Sequence, residues 1–176
     1  NAVTALAMAI LAGTPTHLLK EALSNFKGVA RRFSYRIRRD DLVLIDDYAH
    51  HPTELDALYQ GVSEMYPEQK KVIVFQPHLF SRTRDFIDEF AESLARFDQV
   101  LLLDIYPARE TPIKGVDSLL LLEKIKKIAL NVDNISLVSK QSLAEHLQNS
   151  TCRNKLLVVA GDIGAEVSHI TKILEY

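Results

Sequence analysis

Residues 42–52 read LVLIDDYAHHP, and this stretch decides the class of fold. Its first four residues are uninterrupted apolar, which is typical of a strand in a parallel sheet that is covered on both faces. Asp46 and Asp47 follow the strand, and His51 before Pro52 predicts a helix that begins with proline in its first turn. A strand, a polar turn and a helix in that order make one βα unit.

The same unit recurs along the chain. Short apolar runs of strand length lie at residues 72–75, 100–103, 135–138 and 156–159, and amphipathic helical stretches lie at 52–66, 81–97, 118–130, 141–148 and 163–174. Phe33, Tyr35 and Ile37 alternate with polar residues, which predicts a further, antiparallel strand with one polar face. The sequence therefore predicts an α/β fold. We expect an open, doubly wound, mostly parallel Rossmann-like sheet, about five parallel strands plus one antiparallel, with helices on both faces.

The N-terminal segment has a helical pattern of its own. Apolar residues at helical spacing run through residues 2–11, and Gly13 and Pro15 end that helix. Thr16 is predicted to cap a second helix over residues 17–25, which Gly28 ends. Because the chain opens with Asn1 in place of Met, we expect it to be cut from a longer protein, with a domain joint at residues 28–30.

Composition excludes several classes of protein. The 176 residues suffice for one domain, and 21 Lys and Arg against 23 Asp and Glu give a net charge of −2. This balance argues against nucleic acid and against an anionic membrane surface as partners. Cys152 is the single cysteine, which excludes an internal disulfide and a multi-cysteine zinc site. The apolar runs are far too short to span a bilayer, so we expect a cytoplasmic globular domain.

Polar residues collect after the predicted strands. Ligands of open parallel sheets bind beyond the carboxyl ends of the strands. The stretches that follow those ends are residues 46–51, 76–84, 104–110 and 160–164, and they hold three of the six histidines together with several arginines and acids. The opposite ends carry ordinary turn residues such as those at 68–71. The sequence therefore predicts a binding edge rich in Arg, His and Asp.

Several of these residues also have a purely structural interpretation. Asp46 and Asp47 either satisfy backbone donors at the strand end or take part in the site. His51 and Ser81 are interpreted as helix caps. Zinc at His50, His51 and Glu54 is disfavoured, because adjacent histidines rarely face one ion, and no metal site is expected in this chain.

The arginines divide in a similar way. Arg36 and Arg38 are expected on a solvated face, whereas Arg31 and Arg32, next to the joint, suit an anionic ligand. Arg82 and Arg84 lie two residues apart, so they do not share a helix face and one of them is expected at the surface. The glycines form neither a phosphate-binding loop nor a dinucleotide fingerprint, and no serine lies in a nucleophile elbow.

Residues 46–54, DDYAHHPTE, resemble a signature of the C-terminal domain of Mur ligases. Residues 28–33 (GVARRF), 75–85 (FQPHLFSRTRD) and 104–118, with YPARE and PIKGV, agree in the same order. Residues 1–5 resemble the end of a segment that belongs to the preceding ATPase domain of that family. The resemblance implies that residues 1–28 are the helical end of the central ATPase domain with the joint, and that residues 29–176 are the C-terminal domain.

The resemblance also implies an activity. Members of the family form amide bonds with ATP, and this chain is most similar to the branch that joins L-alanine to UDP-N-acetylmuramate through an acyl phosphate in peptidoglycan precursor synthesis. ATP and Mg²⁺ are implied for the full-length enzyme and none for this fragment alone. The implied partners are the two substrates and the missing N-terminal and central domains, whose closure over the nucleotide excludes water. The fragment by itself is expected to be inactive.

By motif position, the catalytic residues are Arg32, Asp47 and His50. Arg32 would contact ATP phosphates, Asp47 would organise the nucleotide and the domain interface, and Asn1 would lie near the adenine, so these three form the implied cofactor site. Tyr48 and His50 would face the reaction centre.

The implied amino-acid site consists of His78 and Arg82, whose guanidinium would pair with the carboxylate of the incoming amino acid. Leu79 stands where the family often has a basic residue, and Val159 where it usually has a glycine that allows close backbone approach. Two alternatives stay open, namely a ligase that recycles an intact tripeptide onto the same sugar and a non-catalytic module that binds nucleotides or anions.

Overall fold

The structure is a computed structural model that describes residues 2–149 and 155–175, so that Asn1 and Cys152 lie outside the described residues. Its helices are α1 (Ala2–Leu11), α2 (Thr16–Asn25), α3 (Pro52–Met65), α4 (Phe80–Asp85), α5 (Ile87–Leu94), α6 (Ser118–Ile128), α7 (Lys140–Asn149) and α8 (Gly164–Leu174). Its strands are β1 (Ser34–Arg38), β2 (Leu42–Asp47), β3 (Lys70–Gln76), β4 (Gln99–Leu102), β5 (Ile135–Leu137) and β6 (Lys155–Gly161).

The predicted fold class is confirmed. The strands lie in the order β1-β2-β6-β3-β4-β5, in which β1 runs antiparallel to β2 and the other five are parallel. The last strand in sequence, β6, is thus inserted between β2 and β3. This order, which sequence periodicity does not supply, places the ends of β2, β6 and β3 side by side.

Two apolar layers cover the sheet. Successive residues of each parallel strand point to opposite faces, so Val43 and Ile45 pack with α3, α5 and α6 while Leu42 and Leu44 pack with α7 and α8. Both sets are buried, which explains why these strands are apolar without alternation. The sheet is therefore doubly wound, as predicted.

Strand β1 differs from its prediction. The pairing with β2 shifts register between Tyr35 and Ile37, so Arg36 is the extra residue of a β-bulge. As a result Tyr35 packs against one layer and Ile37 against the other, instead of both facing the same side. Arg36 is exposed, as expected for a solvated face, but its guanidinium also reaches the buried Asp46, with Nη2 2.7 Å from Oδ2.

Three helix predictions need comparison with the structure. The single helix expected over residues 81–97 is divided into α4 and α5 at Phe86, whose φ of −123° and ψ of 27° leave the helical region. Thr16 lies inside α2, and Pro15 holds the N-cap position, so the predicted threonine cap is wrong. His51 does occupy the N-cap of α3 with Pro52 at the next position, as predicted, although its side chain makes no capping bond.

Helices α1 and α2 pack on each other and bury no residue. Between them lies an apolar groove of about 430 Å³ lined by residues such as Leu6, Leu23 and Phe26. Over the described part of the chain, no helix has the length and apolar character needed to cross a membrane.

Candidate functional site

The candidate site lies at the carboxyl edge of the sheet, around the end of β6. The chain leaves β2 into α3 on one face, whereas it leaves β6 into α8 on the other face. Such a change of direction between neighbouring strands opens a crevice, which is where ligands bind in open α/β sheets. The structure brings together here Tyr48 and His50 after β2, His78 and Arg82 after β3, and Tyr106 after β4.

A row of aromatic rings spans the crevice. The Tyr48 and His50 rings are 4.9 Å apart between centroids, and the His50 and His78 rings are 6.1 Å apart. His78 stacks on Tyr106 at 5.6 Å with an interplanar angle of 20°. The three strand ends therefore contribute to one continuous surface, and the predicted association of Tyr48, His50 and His78 is present in the structure.

Hydrogen bonds define how each histidine presents its ring. The Nδ1 of His50 lies 2.7 Å from the carbonyl oxygen of Tyr48, and because a carbonyl only accepts, Nδ1 carries the proton. The neutral ring then has its lone pair on Nε2. At His78 the roles are reversed, since Arg82 Nη1 lies 3.2 Å from Nδ1 and a guanidinium only donates. Neutral His78 therefore carries its proton on Nε2.

Electrostatics keep His78 neutral. Burial lowers the pKa of His78 below its ordinary 6.5, and the positive charge of Arg82, together with that of His50 whenever its ring is protonated, lowers it further. Asp162 and Glu110 oppose this shift without cancelling it. A neutral His78 agrees with the tautomer that the hydrogen bond to Arg82 requires.

Arg82 is held in place by the start of α4. Leu79 precedes this short helix with a φ of 74°, the left-handed region, and its carbonyl oxygen accepts from the backbone N–H and the hydroxyl of Thr83. Leu79 thus has a backbone role that does not depend on a basic side chain. Within the described residues no carboxylate lies within 4 Å of the Arg82 guanidinium, so this cation is free to bind an external anion.

Arg84 instead is exposed and pairs with Asp85, which confirms that one of the two arginines is a surface residue.

Sequence reasoning missed the part that Glu110 plays. Its carboxylate accepts hydrogen bonds from both the backbone N–H and the hydroxyl of Ser81, and these bonds lower the pKa of Glu110. The interpretation of Ser81 as a helix cap is wrong, because Leu79 holds the N-cap position of α4. Glu110 therefore fastens α4 to the loop after β4. The signal available in the sequence was only its position after a strand end.

Arg31 and Arg32 have different surroundings. Arg31 donates to Asp162 Oδ1 at 3.1 Å and to the carbonyl oxygen of Gly161, and its Nε lies 3.6 Å from Asp46 Oδ1. It therefore links β6 to β2, and groups of the fold occupy its guanidinium, so a contact with an anionic ligand stays a prediction. Arg32 is 53% exposed and has Glu54 Oε1 at 3.6 Å, so it is open to a further anion.

Glu54 connects Arg32 with His50. Its Oε2 accepts a hydrogen bond from the backbone N–H of His50 at 2.9 Å and lies 3.6 Å from the ring Nδ1 of His50. Burial acts to raise the pKa of Glu54, but this hydrogen bond and the charges of His50 and Arg32 outweigh it, so the pKa is lowered. An ionised Glu54 supports the Nδ1-protonated form of His50 described above.

Asp47 is occupied by the backbone. Its Oδ2 accepts from Phe33 N at 2.7 Å and its Oδ1 from Ala49 N at 2.8 Å, which ties the approach to β1 to the turn after β2. Burial raises the pKa of Asp47, although both N–H groups and Arg32 favour the charged form. Both carboxylate oxygens accept from backbone N–H groups, and a direct role of Asp47 in chemistry stays a prediction.

The close backbone approach at the end of β6 occurs at Gly161. Its φ is 103°, and a Cβ there would lie 2.4 Å from the carbonyl oxygen of Gln76 on β3. Val159, which stands where the family usually has glycine, is fully buried in the layer beneath α8. The tight contact between β6 and β3 therefore does not need a glycine at 159.

Arg32 fits the phosphate groups of a nucleotide, since its guanidinium is exposed and not paired closely. No group of three or more His, Cys, Asp and Glu side chains in the described ranges has an arrangement that could hold a metal ion. A phosphate contact at Arg32 stays a prediction, and Asn1, predicted near the adenine, lies outside the described residues.

Comparison with known proteins adds a family and a set of relatives. The model of the "Mur ligase, glutamate ligase domain" family matches residues 31–163. The chain is 56% identical over 174 residues to the UDP-N-acetylmuramate–L-alanine ligase of Christiangramia forsetii and 53% identical over 175 residues to that of Flavobacterium psychrophilum. These matches cover 99% of this chain but 37% and 38% of the relatives, so the chain spans little more than a third of their length.

Solved structures support the fold. A UDP-N-acetylmuramate-alanine ligase from Thermotoga maritima matches with a TM-score of 0.79 at 24% identity, over 99% of this chain and 36% of that one. A murein peptide ligase from Psychrobacter arcticus matches with a TM-score of 0.68 at 19% identity, over 89% and 32%.

Proposed function

Since the chain belongs to the Mur ligase family, we propose that it is the C-terminal part of an ATP-dependent ligase that joins L-alanine to UDP-N-acetylmuramate. Three relatives at 51–56% identity carry that activity in their names. The observation in this chain that carries the proposal is the pairing of a free Arg82 with a neutral His78 beside His50. The use of ATP places the proposed reaction in the cytoplasm.

The proposed site recognises an amino acid by its two charged groups. The guanidinium of Arg82, which has no carboxylate neighbour in the described part of the chain, binds the α-carboxylate with charge-assisted hydrogen bonds. His78 fixes the orientation of Arg82 through Nδ1 and presents Nε2–H to the same crevice. A small amino acid bound in this way would have its amino group toward His50, whose ring centre is 6.1 Å from that of His78.

His50 is suited to accept the proton that the amine must lose. The muramyl carboxylate first takes the γ-phosphoryl group of ATP to give an acyl phosphate and ADP. The amine nitrogen then attacks the acyl carbon, the C–N bond forms, phosphate leaves and one proton is released. The Tyr48 carbonyl oxygen and Glu54 keep the ring proton of His50 on Nδ1, which leaves a lone pair on Nε2. We propose that this lone pair accepts the released proton.

Arg32 is proposed to bind phosphoryl oxygens, where its permanent charge stabilises the negative charge of phosphoryl transfer. Asp47 is proposed to act indirectly, because it binds the backbone N–H groups of the residues that directly follow Arg32 and Tyr48. Mg²⁺ would supply charge neutralisation when bound. We place its ligands, together with most of the nucleotide site, in the two domains that this chain lacks.

Residues 1–28 are proposed to belong to the adjoining ATPase domain, with the C-terminal domain beginning at residue 29. The family match begins at residue 31, and α1 and α2 bury none of their apolar side chains within this chain. The groove around Phe26 is the surface that the adjoining domain would cover.

The test uses the longer protein that contains this chain and compares Arg82→Ala with Arg84→Ala. Loss of the ion pair to the substrate carboxylate, about 1.5–3 kcal/mol, should raise the KM for L-alanine about 10- to 150-fold in Arg82→Ala, with little effect on the KM for ATP. Arg84 lies two residues away and pairs with Asp85, so Arg84→Ala is the matched control and should behave as wild type. Equal KM values for L-alanine in the two variants would contradict the assignment.

Two other functions give different results. A tripeptide-recycling ligase would use an intact tripeptide in preference to L-alanine in a side-by-side assay. A free-standing nucleotide module would bind ATP with micromolar affinity in calorimetry on the 176-residue chain. The identity to L-alanine ligases favours a preference for L-alanine. Weak ATP binding is expected because we place most of the nucleotide site outside this chain, with Arg32 as the proposed phosphate contact.

A further inference from the structure

The opposite edge of the sheet contains a second pocket, with a volume of about 570 Å³. It is formed by the three segments that enter β3, β4 and β5, and we call it the amino-edge pocket. The residues that matter for its chemistry are Gln69, Lys70, Lys71, Arg96, Asp98 and Asn134. Since β3 spans seven residues at about 3.3 Å each, this pocket lies about 20 Å from the crevice around His78. The proposed ligase reaction therefore does not account for it.

Lys71 lines this pocket, and most of its side chain is buried. The residue is 8% exposed, and its Nζ donates to the carbonyl oxygens of Gln69 at 3.1 Å and of Pro67 at 3.4 Å. An ammonium has three donors, so one has no protein partner in the described part of the chain. No carboxylate there lies within 4 Å of it. A buried charge without a counter-ion is costly, which favours an anion in the adjacent space.

The acids and the other cations of the pocket do not supply that counter-ion. Asp98 directs Oδ2 to the backbone N–H of Lys71, at 2.8 Å, and Glu68 is exposed. Arg96 is engaged elsewhere, by Asp56 at 3.0 Å and by the Tyr59 ring at 4.3 Å. Lys70 adds a second positive charge to the lining.

The same wall also carries an unused acceptor. The side-chain Oε1 of Gln69 is buried and has no hydrogen-bond donor among the described residues. A buried acceptor of this kind normally has a partner. An anion that also has an O–H or N–H group would satisfy both the donor at Lys71 and the acceptor at Gln69.

We propose that the amino-edge pocket binds a phosphate group that retains an O–H donor, as inorganic phosphate or as part of a small hydroxylated phosphate ester. A phosphate oxygen would accept from Lys71 Nζ, and the O–H would donate to Gln69 Oε1. Sulfate has the same shape and charge but no O–H at neutral pH, so it can satisfy only Lys71. The site is separate from the phosphate contact at Arg32 on the other edge of the sheet.

The test is a titration of the 176-residue chain with sodium phosphate, sodium sulfate and glycerol 3-phosphate at constant ionic strength, followed by amide NMR shifts. We expect saturable shifts at Lys71, Gln69 and Asn134 with phosphate, and about tenfold weaker binding of sulfate, the order of one lost hydrogen bond. Tighter binding of glycerol 3-phosphate than of phosphate would identify an ester as the ligand.

Variants separate this site from general anion binding. Lys71→Met, which keeps the aliphatic stem, should weaken phosphate binding at least about tenfold. Lys127→Met, on the exposed surface of α6, is the control of equal charge and should leave phosphate binding unchanged. Gln69→Leu should keep phosphate and sulfate binding but remove the preference between them, which tests the pocket even where Lys71→Met does not fold. The proposal fails if wild type shows no saturation below roughly 10 mM phosphate or if shifts occur only around His50 and His78.

Discussion

Replacing Arg36 by Met should destabilise the chain by leaving a buried carboxylate without a hydrogen bond. Asp46 is 1% exposed, and Arg36 supplies the hydrogen bonds to its Oδ2, from Nη2 at 2.7 Å and from Nε at 3.2 Å. Its other oxygen, Oδ1, has no hydrogen bond and lies 3.6 Å from Arg31 Nε. The substitution therefore removes the principal partner of a buried charge.

The size of the effect follows from this geometry. Breaking a fully buried ion pair by removing one partner costs about 3–5 kcal/mol. The figure is reduced here because Arg36 is 39% exposed, which screens the pair, and because Arg31 remains near the carboxylate. We expect a loss of about 2 kcal/mol in the free energy of unfolding, or about 4–8 °C in Tm for a chain of this length.

The measurement is urea unfolding of the 176-residue chain at pH 7, followed by far-UV circular dichroism. Arg38→Met is the matched control, since Arg38 lies on the same strand, is exposed and contacts only the Tyr35 ring, at 5.0 Å, among the interactions described. It should change stability by less than about 0.5 kcal/mol. Adding Asp46→Asn to Arg36→Met should recover part of the loss, because the uncompensated charge is then removed. Equal stability of Arg36→Met and Arg38→Met would refute the reasoning.

Three further predictions concern the site. Gly161→Ala should lower the free energy of unfolding by more than about 2 kcal/mol in the same urea assay. The reason is that a φ of 103° disfavours alanine and that its Cβ would lie 2.4 Å from the Gln76 carbonyl oxygen. Unchanged stability would show that β6 and β3 can move apart at no cost. By NMR, the pKa of His78 in the folded chain should lie below 6.5. Because the unfolded chain then binds a proton more readily than the folded chain, the free energy of unfolding should decrease as the pH falls through 6.5 toward the folded-state pKa. The decrease in the free energy of unfolding between pH 7.5 and pH 5.5 should be smaller in His78→Gln. Glu110→Ala should speed hydrogen exchange of the Ser81 amide about tenfold, while the amides of α5 keep their rates. If the Ser81 amide exchanges at the same rate in the variant and in the wild type, Glu110 does not fasten α4.

The class of fold was predictable from the sequence because its strands are buried on both faces. Runs such as residues 42–45 have no alternation, so they indicate a covered parallel sheet without any tertiary information. The insertion of β6 between β2 and β3 was not predictable in the same way, because every parallel strand of this chain carries a similar apolar pattern. The bulge at Arg36 also has no local signal, since Phe33, Tyr35 and Ile37 keep strict alternation across it.

The location of the candidate site was predictable, whereas the roles within it were not. Strand ends of a parallel sheet meet at one edge, so the residues after β2 and β3 had to be neighbours. Which atoms face the crevice depends on backbone features that appear only in three dimensions, such as the left-handed φ of 74° at Leu79 that begins α4 before Arg82. Ser81 could equally have capped that helix, and its pairing with Glu110 depends on the path of the loop after β4.

The adjacent arginines show why charge counting could not find the ligand contacts. Arg31 has a φ of 59°, so the chain turns sharply there, and its guanidinium is directed to Gly161 and Asp162. Arg32 is left exposed with one carboxylate at 3.6 Å, which His50 shares. Most arginines at this edge thus balance acids of the fold, which agrees with a net charge of −2. Among the arginines of this edge, we propose Arg82 for the carboxylate of one substrate and Arg32 for the phosphoryl group of the other, because both guanidinium groups are available to an external anion.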